Sequence, residues 1–161
     1  MYKLQLVNLG MTSLHPNAFL GLGSLRQLNL SGNNLTVLPE ELFQWLGSIT
    51  ELKLSANRLS NSTHVGNLLG SFAQLETLDL AVNQLTEVPD LVSSSLLTFV
   101  DLSYNQIVNL PGGDDTGDGI MGPLRGLDRL ETLSMKNNKI QWVDGNFFRL
   151  IILDFLVVCM H

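Results

Sequence analysis

A spacing of Leu, Leu, Leu, Asn and Leu over eleven residues returns along the chain, and no other feature restricts its fold as much. It appears at residues 25–35 (LRQLNLSGNNL), 49–59 (ITELKLSANRL), 75–85 (LETLDLAVNQL), 97–107 (LTFVDLSYNQI) and 130–140 (LETLSMKNNKI). Degenerate copies open the chain at 1–11 and close it at 153–161. Within a unit the fourth and sixth positions, such as Leu28 and Leu30, alternate with Gln27, Asn29 and Ser31 as the two faces of a short strand do. Leu25 and Leu35 turn inward on either side. One unit therefore presents an apolar wedge that it cannot bury alone, and stacking on its neighbours buries it. The ninth position is Asn33, Asn57, Asn83, Asn105 and Asn138, where a buried amide can satisfy backbone groups that no strand ladder reaches. Loss of one such amide is expected to cost roughly 1–3 kcal/mol.

Counted from the first apolar residue of each unit, repeats begin at 1, 25, 49, 75, 97, 130 and 153, with a modal length near 24. These seven units organise all 161 residues as one domain. The second half of a unit recurs as well: Leu14 with Phe19 and Leu22, Leu38 with Phe43 and Leu46, Val143 with Phe147 and Leu150. Self-similarity of this period and pattern resembles the leucine-rich repeat family. The phenylalanine-containing second half is similar to its typical, mostly extracellular subclass. That resemblance implies an α/β solenoid, a horseshoe with a parallel sheet on its concave face and short helical or irregular turns on its convex face. The phenylalanines would form a spine behind the sheet. It further implies a protein ligand on the concave face, as in the ectodomain of a Toll-like or other cell-surface or secreted receptor for recognition, innate immunity or adhesion. The cysteine-rich modules that seal such ectodomains are not present in these residues, which points to a fragment able to self-associate through uncapped ends.

Two stretches interrupt the rhythm. Residues 61–70 (NSTHVGNLLG) read as a surface loop from their Ser, Thr and Asn content. Residues 112–123 (GGDDTGDGIMGP) add about nine residues to one repeat and are expected to project as an acidic, Gly-rich loop. In it Asp114, Thr116, Asp118 and Gly119 match the opening of an EF-hand calcium loop. The twelfth position, however, is Arg125 where a bidentate glutamate belongs, so a solvated acidic loop is the competing account.

The net charge of −6 without a basic cluster argues against nucleic acid as a partner. No stretch is long and apolar enough for a membrane span, and Met1 already occupies a repeat position, leaving no room for a secretory signal. Cys159, the single cysteine, cannot form an internal disulfide. No nucleophile, metal spacing, P-loop or dinucleotide fingerprint accompanies His15, His64 or His161, so no enzyme activity and no cofactor is expected. Sequons at Asn29, Asn34 and Asn61 permit glycosylation, with Asn61 the most accessible and Asn29 facing the sheet.

The outward strand positions offer the candidate recognition surface: Lys53, Asp79, Val82, Phe99, Asp101 and Tyr104. An exposed aromatic pair beside two carboxylates has the composition of an interface hot spot. The readings that compete with a surface receptor are an intracellular leucine-rich repeat scaffold and a truncated product with no independent function.

Overall fold

The computed structural model describes residues 2–112 and 122–147, and the backbone of 157–159. Its strands are β1 (Lys3–Gln5), β2 (Gln27–Asn29), β3 (Glu51–Lys53), then, after the helix α1 (Ser62–Leu69), β4 (Thr77–Asp79) and β5 (Phe99–Asp101). They continue with β6 (Asn109–Leu110), β7 (Thr132–Ser134), β8 (Trp142–Val143) and β9 (Val157–Cys159). A seven-stranded sheet runs β1-β2-β3-β4-β5-β7-β9, with each described pairing parallel. Beside it β6 and β8 form a separate parallel pair.

The third to fifth positions of each unit form the strand, and β2, β3, β4, β5 and β7 show the same burial: outer two half-covered, middle one buried. Leu28, Leu52, Leu78, Val100 and Leu133 are thereby stacked in register. Beyond the strand the ladder continues: Leu30 N–H donates to Lys53 C=O at 2.8 Å and Gly32 N–H to Ser55 C=O at 2.9 Å, a pattern repeated in later units. Behind the sheet the phenylalanines stack. Phe43 lies 6.5 Å from Phe19, nearly parallel, and 5.0 Å from Phe72. Burial of each such side chain contributes about 1.5–3 kcal/mol.

Several expectations need correction. Residues 61–70 are not a loop, because Ser62–Leu69 form α1. Asn61 is its N-cap, its Oδ1 accepting the His64 N–H at 2.9 Å. The polar residues that suggest a loop are thus a helix start signal. Val65, Leu68 and Leu69, at helical spacing, bury one face of α1, and Phe72 just after it joins the spine. His64 Nε2 also lies 2.7 Å from the Leu38 C=O, tying α1 to the preceding turn. Val143, which matches Leu38 in the recurring second half of the unit, is exposed in β8 where Leu38 is buried. Finally, β9 pairs Val157 with Thr132, so Val157 holds the third position and the last unit runs two residues later than a start at 153 requires.

Candidate functional site

Three positions of the repeat shape the sheet face and its rim. The first is the asparagine ladder. Asn83 Nδ2 donates to the C=O of Leu54 and Leu80 at 3.0 and 3.1 Å, and its Oδ1 accepts the Leu59 N–H at 3.0 Å. Asn33, Asn57, Asn105 and Asn138 repeat that geometry on their own neighbours. The first four of the series are buried and Asn138 is half-buried.

At the fifth position, Asn29, Asp79 and Asp101 each use one side-chain oxygen to accept the backbone N–H two residues on, at 2.9, 3.0 and 2.8 Å. That N–H has no ladder acceptor, because the neighbouring carbonyl is taken by the ladder amide. The carboxylates of Asp79 and Asp101 are thus anchored locally and keep a second oxygen for another molecule.

The eighth position is one that sequence reasoning missed. Asn8, Gly32, Ala56, Val82, Tyr104 and Asn137 all hold positive φ, from 52° to 71°. The left-handed turn here swings the ninth-position amide into the ladder. Asn and Gly are at home in this region and Val is not. Their presence at Asn8, Gly32 and Asn137 was a readable signal. At Val82 and Tyr104 the same turn leaves large apolar groups 50% and 57% exposed.

The structure brings the candidate recognition residues together. Lys53 is in register with Asp79, and Asp79 with Asp101, on three consecutive strands. Phe99 shares β5 with Asp101, and Val82 N–H donates to Ser103 C=O at 2.8 Å, which sets Val82 beside Tyr104. Lys53 Nζ pairs with Glu51 Oε1 at 2.8 Å. That hydrogen bond holds the Lys53 ammonium above its usual pKa of 10.5; partial burial opposes it, and the charges of Glu51 and Asp79 reinforce it.

Asn61 is exposed, whereas Asn29 and Asn34 are half-buried, Asn29 on the sheet face. Asp114, Thr116 and Asp118 lie outside the described residues. Among the described residues no three His, Cys, Asp or Glu side chains converge as a metal site would require, and no helix is long and apolar enough to cross a membrane.

A family model described as leucine rich repeat matches residues 1–59. No curated protein sequence matches the chain. Among solved structures, the leucine-rich repeat domain of APL1B is 18% identical with a TM-score of 0.71, over 98% of this chain and 44% of that one. Human 5T4 (Wnt-activated inhibitory factor 1, trophoblast glycoprotein) is 24% identical with a TM-score of 0.76, over 99% of this chain and 59% of that one. The chain therefore spans about half the length of these structures, and the likeness is one of fold. The matched N-terminal units share their strand register and asparagine ladder with the units that follow, and the chain as described has the leucine-rich repeat fold, with the family model matching its first 59 residues.

Proposed function

We propose that this chain is the recognition part of a cell-surface or secreted protein and binds a protein ligand on its concave sheet, without catalysis. One observation carries the reading: consecutive strands set the exposed Val82 and Tyr104 and the half-buried Phe99 against Asp79 and Asp101, with Lys53 at the margin. Rigid rings with few rotamers supply contact area at low entropic cost, and carboxylates already anchored by backbone N–H groups select partners by charge. An extracellular setting is supported by the likeness to 5T4 and by the exposed sequon at Asn61.

The test is a binding screen of the purified chain against purified extracellular protein domains. For a true concave-face ligand, Tyr104→Ala and Phe99→Ala each weaken binding by roughly tenfold or more, a hot-spot magnitude. Ser71→Ala, in the turn after α1, leaves it unchanged. A ligand indifferent to both ring substitutions refutes the assignment. Expression through a secretory pathway tests location: a glycosidase-sensitive mobility shift lost in Asn61→Gln is expected, and an unmodified Asn61 counts against it.

A further inference from the structure

Away from the concave sheet, α1 and the turns after β4, β5 and β7 enclose a groove of about 480 Å³. Its size is that of a pocket for a small ligand or an extended side chain with its flanking backbone. The pairing of β6 with β8 puts Asn109 opposite Trp142. Val108 N–H donates to Thr86 C=O at 3.3 Å, which aligns Glu87 alongside Asn109. At the usual strand step of about 4.8 Å, Glu87 stands roughly 10 Å from Trp142, with Asn109 between them.

The chemistry of the lining is one-sided. Trp142 leaves half of its surface open to solvent. Glu87 engages its backbone with Ser62, while its carboxylate has no hydrogen bond or ion pair among the described residues. Asp90 accepts the Val92 N–H through Oδ1 at 3.0 Å and keeps Oδ2 free. Among the described residues no Lys or Arg lines the groove, and the amides of Asn67 and Asn109 complete it. The wall is also closely packed. Gly66 of α1 approaches so closely that a Cβ there would stand 2.9 Å from the Asp90 backbone nitrogen. An open indole that shares a groove with carboxylates lacking a counter-charge among the described residues suits a planar cation, which can lie on the ring face and hydrogen-bond an acid at its edge. A guanidinium does both better than an ammonium does.

We propose that this groove is a second binding site, taking an arginine-bearing basic peptide segment of a partner protein, its guanidinium over Trp142 and its N–H groups on Glu87 and Asp90. The proposal is independent of the concave-face reading, since it shares no residue with it.

The probe is the peptide acetyl-Gly-Arg-Ser-Arg-Gly-amide, titrated while the indole N–H signals of the chain are followed by NMR. Trp45→Phe assigns the two indoles. A saturable shift of the Trp142 signal is expected, roughly tenfold weaker in Glu87→Gln/Asp90→Asn, and weakened as salt is raised. Asparagine at 90 keeps the Oδ1 acceptor, so unchanged circular dichroism will confirm that this variant folds. The peptide with citrulline in place of arginine, which keeps shape and loses charge, should leave the signal still. Equal binding of the citrulline peptide overturns the proposal, as does an unaffected double variant or the absence of any Trp142 shift at millimolar peptide. Loss of equal size in Asp79→Asn/Asp101→Asn would place the peptide on the sheet and overturn it too.

Discussion

The asparagine ladder shares its acceptors between units, and this makes a sharp prediction about coupling. The Leu80 C=O receives Nδ2 of its own unit's Asn83 at 3.1 Å and of the next unit's Asn105 at 3.0 Å. In Asn83→Ala the Leu59 N–H loses its acceptor outright, whereas the Leu54 and Leu80 carbonyls each retain one donor, Asn57 and Asn105 respectively. An orphaned buried N–H costs about 1–3 kcal/mol, and with two further neutral hydrogen bonds gone the single variant should lose about 2–4 kcal/mol. Asn105→Ala should behave alike. The double variant Asn83→Ala/Asn105→Ala removes both donors from the Leu80 C=O, a group that neither single variant strands. Its loss should exceed the sum of the singles by about 1–2 kcal/mol. Asn57→Ala/Asn105→Ala shares no carbonyl and should be additive within about 0.5 kcal/mol. Urea unfolding followed by circular dichroism measures all five variants, each single lowering the midpoint by about 1 M at a typical denaturant slope. Equal coupling in the adjacent and the spaced pairs would refute the shared-acceptor argument. A single variant costing less than about 0.5 kcal/mol would refute the ladder's energetic role altogether.

Three further outcomes are expected. Gly66→Ala should lower the melting temperature despite a helix-propensity gain of about 1 kcal/mol, because the added Cβ meets Asp90 backbone and overpacking costs about 1–3 kcal/mol; a raised melting temperature would show that α1 can slide. Val82→Asn should stabilise the fold by about 0.5–1 kcal/mol in urea titration, since asparagine accepts the left-handed φ of 55° and valine strains there; a loss of stability would mean that Val82 packs more than it strains. Lys53→Met should change stability at pH 7 by less than about 0.5 kcal/mol, because the pair with Glu51 is largely solvent-screened. With the folded-state pKa raised, the small contribution of the pair is complete below pH 10.5 and lost as pH climbs through the raised value, so the two proteins should converge there; a difference that persists above that range would contradict the assignment.

The local spacing of leucine and asparagine determined most of the fold before any coordinates. A wedge of Leu25, Leu28, Leu30 and Leu35 has one economical burial, against copies of itself, and the polar positions between them can only face out. Inward Leu28 and Leu30 follow from that periodicity, and the parallel strands and the phenylalanine spine through Phe19 and Phe43 follow from the family resemblance that it carries. Residues 61–70 were less legible, because Ser, Thr and Asn favour both loops and helix starts. Burial of Val65, Leu68 and Leu69 against the neighbouring turns decides for α1. The sheet-face candidates could be read from strand alternation, but the local anchoring of Asp79 and Asp101 could not. It arises only once the ladder amide has claimed the carbonyl that the next N–H would have used.

Tertiary structure alone decided two further matters. The left-handed turn at Val82 and Tyr104 violates the preference of both residues, and stacked neighbours on either side impose it by fixing where the ninth-position amide must go. The groove of Glu87, Asp90 and Trp142 draws on residues from different turns that no sequence window contains, because its walls exist only when the turns are stacked.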